Sequence, residues 1–598
     1  MRTSARVRSG AAFGMVGFSL AMALVSGACK SERAEFVSDK GSFGEDPAAD
    51  AGACPLQCSI DGRSIIRSCD GEVVETCAAD RACGAAACQE PCAAAAADRS
   101  SNGCEFMFQI PRYDPIQLDQ ACLATFVVNT SLQPVDLKLS FEGTELDLSG
   151  AVYRTNPGDA TLVQHSGPIE PGESVILFVS DRDPAAPAPS TIFRGRVPCP
   201  SGVVPALRAD LKGGTAILPA MELTASAPIG LSMIYPFGGA RSYVSTAALL
   251  LPVATWAKQN VLVGAWEANF SKPGMQIIAA EDNTEITILP TADIQDGDGV
   301  KGTRRKVPAT YRLDRGQLLQ LSQREELSGS VVESSKPVGT VSGHGCAYIP
   351  TGNGTCDALH QPTPSVEQWG SEYVGVGYRP RRGNEHEPMA YRIVAARDGT
   401  RLDYDPAIPP GAPTTLSAGE VAVFTHGVGD ALVVRTQDAD HPIYVGAYMS
   451  SADAGFRKLS FGGAGDPEFV NVVPSGQYLN AYSFYSDPSY GDSSLVIIRA
   501  KTRGEFKDVW LECAGENLSD FKPIGTRGEY EFTRVDLAKA GGPGQKFGDR
   551  VCKNGLQRLR SDGPFTATVW GWASYASYAY PGGMAARKLV TTPLDPIR

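Results

Sequence analysis

The sequence predicts an all-β protein: about four tandem β-sandwich-like repeats preceded by a small disulfide-rich module, with a propeller-like closed arrangement of the repeats as the alternative. Three observations carry this. Short strand signals follow one another between Met389 and Met449 without a helical period, a coarse copy of that stretch recurs about every 100 residues, and eight cysteines crowd into 54–104.

The clearest repeat starts at 391–396, a β-branched run, and leaves on Leu402 and Tyr404 after the polar step Arg397-Asp398-Gly399-Thr400; this reads as a hairpin. Further strands follow at 416–424, at 432–434 and, after Pro442, at 443–445. Upstream, 277–284 corresponds to the first hairpin, Leu313-Asp314-Arg315-Gly316 to the Ala418-Gly419-Glu420 turn, and Ser335-Lys336-Pro337-Val338 to the last strand. A looser copy lies between Phe126 and Pro236, with Pro171-Gly172-Glu173 and Ala227-Pro228-Ile229, and a fourth begins at Leu495-Val496-Ile497-Ile498. A unit of about 100 residues is a whole domain, not a solenoid turn. A length of 598 residues, at roughly 150 per domain, gives the same count of about four. The expected boundaries are 105–245, 246–350, 351–460 and 461–590.

The N-terminus carries Arg2, Arg6 and Arg8, an apolar run from Ala11 to Val25, and then Ser26-Gly27-Ala28-Cys29. A basic head, a short apolar segment and small residues predict a signal peptide over 1–28. Cys29 then stands first in the mature chain, as in a bacterial lipoprotein, and is the expected lipidation site; an ordinary cleaved signal peptide is the alternative. No later segment reaches about 18 uninterrupted apolar residues, so the lipid is the expected membrane attachment. Residues 29–53 are charged and small, too poor in apolar side chains to fold, and read as a disordered stalk.

Fifteen cysteines fit export. With Cys29 set aside, fourteen remain, an even number suited to an oxidising compartment. Cys54, Cys58, Cys69, Cys77, Cys83, Cys88, Cys92 and Cys104 lie where apolar residues are too few for a core, so disulfides replace one, and their connectivity stays open. Asp70-Gly71 reads as a two-residue hairpin turn within that module. The six later cysteines pair in sequence order as Cys122 with Cys199, Cys346 with Cys356 and Cys513 with Cys552, each closing a loop for roughly 3 kcal/mol or more.

Chemistry is sparse. A net charge of −12 with no Lys or Arg cluster argues against nucleic acid. His344, Cys346, Cys356 and His360 are four ligand types suited to tetrahedral zinc, and the competing reading is a disulfide-closed loop with two incidental histidines. His386-Glu387 starts a metalloprotease motif that Pro388 and Ala390 break. Asp296-Gly297-Asp298-Gly299 lacks the twelfth-position carboxylate of a calcium loop and reads as a solvated hairpin tip in the insertion 293–307. No nucleophile elbow is present, and no cofactor is expected. Arg379-Pro380-Arg381-Arg382 reads as a solvated basic loop or a contact for an anionic glycan. Near the C-terminus, alternation places Trp570 and Trp572 with Tyr578 and Tyr580 on one sheet face and Tyr575 on the other.

Specific words can be matched. Ser342-Gly343-His344-Gly345-Cys346 with Pro350, Cys356-Asp357 with Leu359, Trp369-Gly370, residues 395–400, Gly465-Asp466-Pro467 and residues 577–583 together resemble the N-terminal domain family of IgGFc-binding proteins, over about 105 to 585. That family occurs in exported bacterial proteins, often lipoproteins, and in an animal mucus protein. The resemblance implies export and leaves the partner unassigned.

The expected function is a non-enzymatic, surface-anchored binding or adhesion protein of the bacterial outer membrane or cell surface, presenting loops to an extracellular protein or glycan. Two alternatives stand beside it: a zinc-dependent or carbohydrate-active enzyme centred on 342–361, and a passive structural envelope protein. Secretion is the alternative to anchoring.

Overall fold

The computed structural model describes residues 54–114, 119–187, 196–242, 244–352 and 354–597; the expected signal peptide, Cys29 and the stalk lie outside them. Among the described residues the one α-helix is Pro91–Asp98, and everything else regular is strand or short 3-10 turn. That helix starts where Glu90 caps it, its carboxylate accepting from the Cys92 and Ala93 N–H groups with Pro91 in the first turn. It ends at Arg99 in a left-handed conformation.

In the Cys-rich module, Leu56–Cys58, Ser64–Arg67 and Val73–Thr76 form one sheet, and Ala82–Gly84 pairs with Ala87–Gln89. Disulfides join Cys54 to Cys69, Cys58 to Cys83, Cys77 to Cys88 and Cys92 to Cys104. Its buried apolar side chains are Ile65, Cys83, Pro91 and Ala94, so cross-links stand in for a core. The turn at Asp70-Gly71 is wider than a two-residue hairpin: the Arg67 N–H donates to the Glu72 carbonyl and only Gly71 has positive φ. Cys69 lies inside this wider loop, where it joins Cys54.

Three of the four following units are each built on one long strand that bends. Met221–Tyr235, Val331–Ala347 and Gly555–Ala573 run 15, 17 and 19 residues. Each has partners in two layers: Val331–Ala347, for example, pairs with Thr284–Leu289 in its first part and with Pro273–Ala279 and Asp357–Thr363 in its second. Pro228, Pro337 and Pro564 stand at the bends, where a residue without an N–H costs the ladder nothing. In the third unit the strand is interrupted before Pro442, giving Leu432–Thr436 in one four-stranded sheet and Ile443–Met449 in another. The two sheets face each other over Tyr391, Phe424 and Tyr404, whose rings meet at 5.6 Å and 6.0 Å.

This packing corrects the hairpin reading. Pro388–Ala395 and Thr400–Asp405 lie in opposite sheets of that sandwich. Their upstream counterparts Pro273–Ala279 and Thr284–Leu289 both pair with Val331–Ala347 and not with each other. The polar step carries the chain across the gap between layers, because both strands bury one face against the same core.

The units interlock. Ala216–Pro219 leaves the first to pair with Gln317–Ser322 of the second. Each sheet also runs one strand past the boundaries at 245, 350 and 460: Thr246–Leu249, Asp357–Thr363 and Glu468–Asn471 hydrogen-bond to the strand that precedes them in sequence. With Ala576–Pro581, these four last strands pack around a common centre, each touching two others, so the array is closed. Three lead into a 3-10 turn, Val253–Thr255, Val366–Gln368 and Ser475–Gln477, each followed by an aromatic, Trp256, Trp369 or Tyr478. The end of the chain completes the circuit, with the Ser101 N–H donating to the Met584 carbonyl and the Ala586 N–H to that of Arg99.

Candidate functional site

The centre of the ring is polar. The Gln361 amide nitrogen donates to the carbonyls of Ala247, Phe469 and Ala579 at 2.7, 2.9 and 3.0 Å, so one side chain ties its own strand to the other three. Glu468 accepts from the Thr246 hydroxyl and the Ala247 N–H at 3.3 Å each. Asp357 accepts from the N–H of Ser245 at 3.0 Å and of Ser577 at 3.1 Å, joining the first unit to the fourth. Asp466 accepts from the Ala452 N–H and the Thr355 hydroxyl. Burial drives these carboxyls up: Asp357 far above the usual carboxylate range, with Asp466 and Glu468 adding repulsion, Glu468 likewise, and Asp466 to about 7.

Above this centre the connections into the four strands gather at one end of the ring. They are bonded to one another: Ser451 Oγ donates to the Thr355 carbonyl, the Asp466 N–H to Ser577 Oγ, and Tyr575 Oη to Asp453 Oδ2 at 3.2 Å. The longest connection, 450–467, holds Ala454, Arg457 and Lys458 at φ of 54°, 58° and 57°. Three non-glycine residues in the left-handed region concentrate backbone strain here, the kind of strain that collects at binding loops. Arg457, Lys458 and Leu459 are exposed at its tip.

Beneath it, Arg381 is fully buried, its guanidinium on Glu387 at 2.7 Å, on the carbonyls of Ser450 and Ala464, and 3.5 Å over the Phe461 ring. Arg379 pairs with Asp492 and Asp536. The basic run is thus largely an internal brace, correcting its reading as a solvated loop. Glu387 lies only six residues along the chain from Arg381, but Asp492 and Asp536, which take up the charge of Arg379, come from later strands and leave no local signal.

The candidate zinc ligands are not brought to one point. Cys346 and Cys356 are bonded to each other. Gly343 pairs with His360 and His344 with Leu359, which sends the two histidine side chains to opposite faces of the sheet. His344 Nδ1 accepts from the Cys346 N–H at 3.0 Å and Nε2 donates to the Glu267 carbonyl; His360 Nδ1 bonds Tyr113 Oη at 2.9 Å. Burial lowers both rings to about 3, so both stay neutral. Tyr113, reaching in from the first unit, explains Gly343, where a Cβ would enter its ring, as it would at Gly274 on the neighbouring strand; a Cβ at Gly345 would meet Ser271 and Asp114 instead. Gly343→Ala is expected to destabilise by about 1–3 kcal/mol in denaturant unfolding, and Tyr113→Leu in the same chain to return part of it. An unchanged midpoint would show that the ring does not need that space.

Cys122–Cys199 and Cys513–Cys552 are likewise bonded. In the insertion 293–307, Ile294 and Val300 are buried and Asp298 bridges to Ala216, while the acidic tip and Arg304, Arg305 and Lys306 are exposed. The C-terminal hairpin differs from its expected facing. Trp570 pairs with Ala579 and Gly571 with Tyr578, so the tryptophans and the tyrosines Tyr578 and Tyr580 lie on opposite faces, both buried. Counting even numbers along the chain fails here because the turn at 574–575 makes partners sum to an odd number, which reverses parity across the hairpin.

The family described as IgGFc binding protein matches residues 246–571, more than half of the chain, and takes in the second and third units with most of the fourth. The chain belongs to this family. The human IgGFc-binding protein (Homo sapiens) is 29% identical over 189 residues, which are 30% of this chain and 3% of that protein. The chain thus spans a small part of that relative's length. The family's match covers the Gly343-His344-Gly345-Cys346 segment, the buried Arg381–Glu387 pair and three of the four central strands.

Proposed function

We propose that the protein is an exported, non-enzymatic binding protein, lipid-anchored through Cys29, whose closed β-array presents the loop face around 450–467 to an extracellular protein or glycan. The observation that carries this reading is that face itself: connections from different units hydrogen-bonded to one another, with Arg457, Lys458 and Leu459 exposed on left-handed or adjoining backbone. A rigid scaffold that pre-orders its loops lowers the entropy lost on binding. Family membership and the disulfides support an oxidising, extracellular setting.

The test is a glycan array and a pull-down from the extracellular milieu with the mature chain. The expected result is a ligand whose affinity falls about tenfold or more in Arg457→Glu/Lys458→Glu, with unfolding unchanged. No ligand on any surface, or binding indifferent to that double change, would overturn the assignment of this face.

A further inference from the structure

The binding reading makes no use of the carboxyls buried at the ring centre. Asp357, Asp466 and Glu468 come from the second and third units and bond to backbone or hydroxyl groups of the first, third and fourth. Among the described residues none of the three makes an ion pair.

Their surroundings offer little positive charge. Ser245 and Thr246 face them from the first unit. Ser577, Tyr578, Tyr490 and the buried Asp487 lie on the fourth-unit side, and Asp453, Thr355 and Tyr348 on the loop side. His360 is on the same strand as Asp357 but bonds Tyr113. Among the described residues the cation near Asp466 is Arg381, already engaged by Glu387, Ser450 and Ala464. Asp357, Asp466 and Glu468 are each at most 1% exposed, so charge added here acts across a buried seam, where like charges repel strongly.

We propose that this four-way junction is a proton-gated joint: proton loss from the Asp357–Asp466–Glu468 cluster pushes the four central strands apart and loosens the loop face above them. The inference is independent of what that face binds. The direction follows from linkage. These carboxyls hold their protons more tightly folded than unfolded, so their stabilisation is complete below the ordinary carboxylate range and is lost as pH rises through the folded values, about 7 for Asp466. His344 and His360 act oppositely, but only below their unfolded value of about 6.5, so above neutrality they do not oppose the carboxyls.

The experiment is hydrogen exchange of the full chain at about pH 5.5 and about pH 8.5, corrected for intrinsic rates. Peptides covering 246–249, 357–363, 468–471 and 576–581 are expected to lose about tenfold or more protection at the higher pH, while Gln317–Ser322 does not. Asp466→Asn with Glu468→Gln, which keep an acceptor and cannot ionise, are expected to abolish the difference. Equal protection at both values in the parent chain, or an unchanged pH response in the variants, overturns the proposal. Should the variants not fold, infrared titration of the parent chain decides. A protonated-carboxyl band that disappears as pH rises from about 5.5 to 8.5 supports the joint, and a band absent or constant over that range sinks it.

Discussion

Glu387→Gln is expected to destabilise the protein by about 3–5 kcal/mol, because it removes one partner of a fully buried ion pair and leaves the other charged. Arg381 and Glu387 are each at most 1% exposed as side chains and 2.7 Å apart. Glu387 also accepts from the Arg381 N–H at 2.8 Å and from Tyr378 Oη at 2.9 Å. The amide keeps an acceptor but not the negative charge, and Arg381 cannot shed its proton. Arg381→Met alone should cost a comparable amount, and the double variant less than the sum, since it leaves neither charge stranded. Denaturant midpoints on the four proteins measure the coupling. A Glu387→Gln change under about 1 kcal/mol would mean that water reaches the pair.

Gln361→Leu should be the most damaging change at the ring centre. It leaves the carbonyls of Ala247, Phe469 and Ala579 without their shared donor, and each buried acceptor left bare costs about 1–3 kcal/mol. Its effect should also differ in kind. Because those carbonyls belong to three other units, unfolding followed by tryptophan fluorescence and by circular dichroism should show more, or more widely separated, transitions than in the parent chain. A single transition at the parent midpoint would show that packing alone closes the ring.

Much of this architecture was legible locally. Alternating β-branched and aromatic runs, Gly-containing turns and the absence of helical period fix an all-β chain, since each reports what one strand does with its own two faces. The prolines at 228, 337 and 442 recur at corresponding places in the copies, but that the strand bends or breaks there became visible only in the structure. The match of Gly343 and Gly345 to the family's words was visible too, but not that Tyr113, some 230 residues upstream in sequence, is the reason for Gly343.

The candidate site was not legible, and the misreadings share one cause. Arg379 and Arg381 read as solvent-facing because charge near prolines usually is; their acids lie at Asp492, Asp536 and Glu387. Residues 391–404 read as a hairpin because two strands around an Asp-Gly step look alike whether the chain folds back within a sheet or crosses to the next. Trp570 and Tyr578 read as sharing a face because register across a turn cannot be counted along the chain.

By itself, then, the sequence determined that this is a cysteine-rich β-protein of repeated units, because periodicity and turn chemistry act over a few residues. Only the tertiary structure decided which strands are partners, that the last strand of every unit meets the others at one polar centre, and which charges are buried there. Those outcomes depend on contacts between elements that are not neighbours in the chain, at the centre often more than a hundred positions apart, and their energies leave no trace in the order of adjacent side chains.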